Sequence, residues 1–299
     1  MPSFTFVASA NAIAHCGAQP HFVDCEAVSL GICPDRLEAH LAQTLVRDGN
    51  HWTSRETGAP VRAMVVVHCY GHPADMARLN DVAARYGLAV IEDAAESLGS
   101  TADGIHTGRF GRAGVLSFNG NKTITTGGGG AIITDDDLLA HRMRHLTTTA
   151  RAGDGRELVH DAVGYNYRLP NLNAALGCAQ LETLDARLAA KAEIAARYRD
   201  ALAGLAGVQV VRGAEGRTPN HWLNAVIFDN GADRDTALGA LRAGGIESRP
   251  FWHPLHRMPM YAHAPRADLA VTESLSARGL LLPSGAGLAL AELARSRER

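Results

Sequence analysis

The chain has 299 residues, enough to bury a large core and to divide into two domains. Its 29 lysines and arginines nearly balance 31 aspartates and glutamates, a formal net charge of -2, so it offers no electrostatic footprint for nucleic acid or an anionic membrane. Five cysteines, odd in number and without Cys-x-x-Cys spacing, predict buried, reduced thiols in a reducing compartment.

Residues 4–14 are apolar enough to mimic a secretory core, yet no basic residue precedes them and Asn11 interrupts them. His15 occupies the place before Cys16 where a lipoprotein site needs a small residue, and no run approaches the ~18 apolar residues of a membrane span. A cytoplasmic protein is expected. Residues 20–23 and 63–67 are predicted strands. The second leads to a helix with Met76, Leu79, Val82, Ala83 and Tyr86 on one face, and Gly87 suits the left-handed position after it. His68 and His72 flank Gly71 and precede Pro73, which does not suit a helical metal-binding pair, so no metal is expected.

Residues 88–91 form the next predicted strand, and Asp93 lies just beyond its carboxyl end, where open α/β sheets bind ligands. Two more strands are predicted at 115–118 and 131–134, with Lys122 and the glycines 127–130 between them. Those glycines run into β-branched residues with no Gly-Lys-Ser/Thr, which excludes a nucleotide P-loop. They either let the backbone approach a cofactor closely or turn a plain hairpin. Asp135 to Asp137 can cap a helix whose stripe of Leu139, Met143 and Leu146 is expected in the core. A long alanine-rich helical stretch covers 170–206, and strand-like runs follow at 208–211 and 223–228. Short apolar runs alternating with helical patterns predict parallel strands joined by crossover helices.

Lys122 has no other lysine or arginine for nine residues on either side, which is unusual for a solvated charged face. The only other lysine, Lys191, lies in an Ala/Arg/Glu-rich helical pattern expected at a surface. Most lysines are surface charges and most aspartates after a strand are caps. A carboxylate at a strand end followed by a lone lysine in a small-residue loop nevertheless suits pyridoxal 5'-phosphate (PLP). A lysine holds the aldehyde of that cofactor, and an acid keeps its ring nitrogen protonated. Lys122 and Asp93 are the candidates for these roles. No Gly-x-Ser-x-Gly elbow occurs, and no cysteine has a nucleophile's local signature.

Several stretches carry a family resemblance: Pro2-Ser3-Phe4-Thr5-Phe6-Val7-Ala8, Gly71-His72-Pro73-Ala74-Asp75, Glu92-Asp93-Ala94-Ala95-Glu96, Ser117-Phe118 with Lys122, and Gly164-Tyr165-Asn166-Tyr167-Arg168. The chain resembles the DegT-type PLP-dependent nucleotide-sugar aminotransferases almost from end to end. Within that family it is similar to the 4-aminotransferases of legionaminic acid biosynthesis, through a polar insertion at 47–60, Gly128 where many relatives have glutamate, and Pro170-Asn171-Leu172-Asn173-Ala174-Ala175.

The resemblance implies a PLP-dependent transferase of fold type I: an α/β protein with a mostly parallel central sheet in a large domain (1–170), a connecting helix (171–206) and a small α+β domain (207–299). It implies that Phe6 stacks on the cofactor ring, Ser117 binds the phosphate, and Asn166 reaches the phosphate from the neighbouring subunit of a homodimer with shared active sites. Glu96 departs from the glutamine or histidine common at its position, opposite the ring hydroxyl. The implied substrates are a nucleotide-linked 4-keto-6-deoxy hexose and, as amino donor, glutamate. Family chains also place a Gly-Thr or Ser-Ala-Ala segment before the Pro2 to Phe6 motif, where a helix N-terminus receives the phosphate, whereas this sequence opens at Met1. A catalytically impaired homologue, serving as dimer partner or sugar-binding protein, is therefore the second expectation.

Overall fold

A computed structural model describes residues 1–49, 51–153 and 157–288. Asn50 of the polar insertion and residues 289–299 of the expected small domain lie outside this range. Helices α1 (Val7–His15) and α2 (Pro34–Thr44) precede a four-stranded sheet built from β1 (Ala63–Val67), β2 (Ala89–Asp93), β3 (Ala113–Ser117) and β4 (Gly130–Ile133). Strands β1, β2 and β3 run parallel, and β4 closes the sheet antiparallel to β3. The protein is thus a mixed α/β fold. In this register Val67 pairs with Asp93 and Asp93 with Val115, so the carboxylate stands at the carboxyl ends of the parallel strands.

The crossover between β1 and β2 is α3 (Met76–Arg85). Its start is capped by the Asp75 side chain, which accepts from the Arg78 N–H, and Met76, Leu79, Val82 and Ala83 are buried. Gly87 ends it with φ +60°, as a left-handed stop requires. The stripe meets Leu37 and Leu41 of α2 and Val66 and Val90 of the sheet in one core cluster.

Several expectations are corrected. Residues 20–23 form no regular strand: Phe22 and Val23 make isolated bridges to Arg266 and Pro2, single partners along which no ladder propagates. Helix α4 (Asp137–Thr147) is capped by Asp136 as expected, but Leu139, Met143 and Leu146 are only half-buried and Leu138 is 84% exposed. The described residues cover that stripe only in part. Cys25 and Cys69 are buried, while Cys16 and Cys178 lie at the surface and Cys33 is partly covered. The described residues of the polar insertion contribute to an antiparallel meander of Leu45–Asp48, His51–Ser54 and Pro60–Val61.

The helical stretch after residue 170 is two helices, α5 (Asn171–Leu181) and α6 (Leu184–Ala201). A second sheet follows, with β5 (Val208–Val210), β6 (Asn224–Phe228), β7 (Arg249–Pro250) and β8 (Gly279–Leu282) in the order β5-β6-β8-β7, all antiparallel. Helices α7 (Gly231–Ala243) and α8 (Ala270–Arg278) accompany it. Phe4, Val67, Cys69 and Tyr70 pack with Trp222, Ala225, Ile227, Phe251, Leu275 and Leu281, so the two sheets share one core cluster.

Candidate active site

The carboxyl end of β2 carries the site. Asp93 Oδ2 accepts from the Ser9 hydroxyl of α1 at 2.5 Å, and Oδ1 accepts from the Ala95 N–H at 3.2 Å. Two donors therefore fix the carboxylate before any ligand arrives. Lys122 belongs to the segment between β3 and β4, and its side chain is 13% exposed. Its Nζ lies 3.5 Å from Glu96 Oε1 and 4.0 Å from the centroid of the Trp222 ring. Glu96 is buried, and its Oε2 accepts from the Tyr70 N–H at 2.9 Å. Burial pushes the Glu96 carboxyl up to about 7, against the opposing pull of Lys122.

A cavity of about 730 Å³ unites these groups, with Phe6, Asp93, Glu96, Ser117, Lys122 and Trp222 among its walls. Phe6 is 54% exposed, where a bare apolar pattern would bury it, and it forms part of the cavity wall. Ser117 ends β3, and its Oγ accepts from the Asn119 N–H. Asn166 is not brought to this cavity. It is exposed and makes an isolated bridge to Thr148.

Glycines 127–129 belong to the segment between β3 and β4, Gly130 opens β4, and none of them is among the cavity walls. Gly129 has φ +91°, and a Cβ on Gly130 would meet the Leu116 carbonyl oxygen at 2.3 Å. Glycine at these two positions is required by backbone geometry. His68 serves the fold. His68 Nδ1 accepts from the Ala74 N–H, which leaves Nε2 to carry the proton toward Glu92 Oε2 at 2.9 Å. Glu92 also accepts from the N–H groups of Gly108, Phe110 and Gly111, and so anchors the loop before β3.

Sequence reasoning missed three residues. Ser9 and Trp222 meet the site from 84 and 100 positions away from Asp93 and Lys122, as no local period reveals. Lys191 is not a surface residue: it is buried on α6, and its Nζ donates to three backbone carbonyls. One local signal was available, since Ile194 and Ala195, three and four residues on and therefore on the same helical face, are buried with it.

The sequence pattern of the DegT/DnrJ/EryC1/StrS aminotransferase family matches residues 1–296. The chain belongs to this family. It is accordingly an enzyme, a PLP-dependent aminotransferase from a group whose members work on nucleotide sugars. A GDP-perosamine synthase from Vibrio cholerae is 39% identical over 291 residues, covering 96% of this chain and 74% of its own length. Another, from Caulobacter vibrioides, is 40% identical over 299 residues, covering 99% and 76%. The crystal structure of a DegT DnrJ EryC1 StrS aminotransferase from Brucella abortus has a TM-score of 0.86 at 33% identity, covering 95% of this chain and 73% of that one.

The DegT-family site fits PLP on its own geometry. An amine, a fixed carboxylate, an aromatic side chain and a hydroxyl border one cavity, whose volume leaves room for a second ligand beside the cofactor. Among the described residues no helix is long and apolar enough to cross a membrane.

Proposed function

We propose that this aminotransferase converts a nucleotide-linked 4-keto-6-deoxy hexose to its 4-amino sugar, with glutamate as amino donor, for a surface glycan. The convergence of Lys122 and Asp93 on one cavity carries this reading. The two GDP-perosamine synthases among its relatives favour GDP as the nucleotide. The motifs at 47–60 and 170–175 favour a legionaminic-type product, and the substrate sugar is the same class in either case.

In this reading Lys122 Nζ would hold the cofactor, with Asp93 for its ring nitrogen, Phe6 for the ring and Glu96 for the ring hydroxyl. Ser117 of the same chain would bind the phosphate, joined by Asn166 from a second copy of the chain. When bound, PLP supplies the electron sink that makes the proton on the amino-bearing carbon removable. Lys122 Nζ would be the amine that holds the cofactor and, when free, the base within reach of that proton. Asp93 keeps its place throughout because Ser9 and the Ala95 N–H hold it. Buried Glu96 and the Trp222 ring flank the lysine and leave its side chain 13% exposed.

Borohydride reduction of the PLP-loaded protein, followed by peptide mass mapping, tests the assignment. The adduct is expected on Lys122 and absent in Lys122→Ala. An adduct on Lys191, or one undiminished in Lys122→Ala, would overturn it.

A further inference from the structure

Lys191 is one of only two lysines in the chain, and the chemistry described so far gives it no role. It is 6% exposed. Its Nζ donates to the carbonyls of His221 (3.4 Å), Trp222 (3.1 Å) and Ser284 (2.7 Å), which takes up all three ammonium protons. Among the described residues no carboxylate lies within ion-pair distance of it, and burial pushes its amine down to about 8. A buried cation held only by main-chain carbonyls gives up its hydration without a compensating charge. What it gains is the geometry of two loops.

Both loops belong to the site. Residues 221 and 222 lead into β6, and Ser284 follows β8; Trp222 and Ser284 each line the cavity. Ser284 Oγ in turn accepts from the N–H of Asn224, which ties the two loops together. His221 has φ +50°, a left-handed conformation that a residue with a Cβ keeps only where its surroundings impose it. Two of the three Lys191 bonds go to that turn. The turn aims the Trp222 ring at Lys122, and the Trp222 Nε1–H bond to the Asn121 carbonyl at 2.8 Å fixes the other edge of the ring.

We propose that Lys191 is a positioning residue for the reaction: by bonding the carbonyls of His221, Trp222 and Ser284, it holds the Trp222 ring over the Lys122 amine. A lysine side chain has several rotatable bonds, and a ring face across its tip restricts where Nζ can stand. The inference rests on Lys122 being the cofactor lysine.

With two lysines, the coupling is directly observable. Cofactor-free protein labelled with ¹³C at lysine Cε should give two ε-methylene signals, that of Lys122 displaced upfield by the Trp222 ring. In Lys191→Met the remaining signal should move back toward the free-lysine position, with cooperative unfolding retained. Trp222→Leu should produce the same movement. In the PLP-loaded enzyme, Lys191→Met should lower kcat by about tenfold while KM changes less than about threefold, with little further loss in a Trp222→Leu background. An unmoved Lys122 signal in folded Lys191→Met, or fully additive losses in kcat, overturns the proposal. Should Lys191→Met fail to fold, Lys191→Gln takes its place with the same two outcomes. The NMR reading needs no cofactor, so its result stands apart from where borohydride mapping places PLP.

Discussion

Asp93 is held by Ser9 and a backbone N–H whether or not a ring nitrogen faces it, so its replacement separates chemistry from architecture. Asp93→Asn keeps the shape and retains an acceptor for Ser9 but removes the charge. Fold and some PLP binding should survive, while transamination should fall on the order of 100-fold, because a neutral ring nitrogen makes a poor electron sink. Near-normal turnover would make Asp93 a structural cap. Glu96 makes a pH prediction of definite sign. Its carboxyl is raised by burial from 4.5 to about 7, so the folded state binds the proton more tightly than the unfolded chain does. Stability from this group is fully present below about 4.5 and is lost as pH rises through 7. At about 1.4 kcal/mol for each pH unit, the loss amounts to about 3 kcal/mol. Glu96→Gln should remove that dependence and make the cofactor-free protein more stable than wild type at pH 8 than at pH 4. Parallel denaturation curves for the two proteins across this range would show that Glu96 does not titrate there.

At the scale of elements, the strand that delivers Ser117 depends on a close backbone crossing. A Cβ on Gly114 would stand 2.3 Å from the Gly108 carbonyl oxygen and 2.4 Å from its Cα, and Gly108 itself has φ +93°. Gly114→Ala should therefore destabilise the protein by about 2–3 kcal/mol, since backbone cannot rotate away as a side chain would. An unchanged urea midpoint would mean that the sheet shifts freely at this point. Strands β1 to β4 were legible because runs such as Met64 to Val67 are short, apolar and bounded by turn residues. Helix α3 was legible through its period and the glycine after it. What could not be read were contacts set by distant segments. Residues 20–23 resemble a strand but find only single bridging partners, and Lys191 resembles a surface residue until the loops at 221 and 284 arrive over it. Lys122 and Asp93 could be picked out because each has a local signature; Ser9 and Trp222 have none, and only the fold brings them in.

At the scale of the whole molecule, one chain leaves two things uncovered. Asn166 stands away from the cavity on an exposed segment, and close to it in sequence Val163, Tyr167 and Leu172 are 92%, 75% and 84% exposed. Large apolar side chains left this exposed suit a surface that a second chain covers. A homodimer in which Asn166 of each copy completes the phosphate site of the other would account for both. Under that arrangement, each active site takes Lys122 from one chain and Asn166 from its partner. A heterodimer of Lys122→Ala with Asn166→Asp then contains one site with both lesions and one with neither. Each parent homodimer should be inactive or strongly impaired. Random exchange between equal pools makes half of the dimers heterodimers, and half of their sites are intact, so mixing should restore activity to about a quarter of wild type. Subunit exchange can be followed independently by mass spectrometry of differently labelled pools. Complete exchange without recovery of turnover would show that Asn166 acts within its own chain or has no part in the reaction.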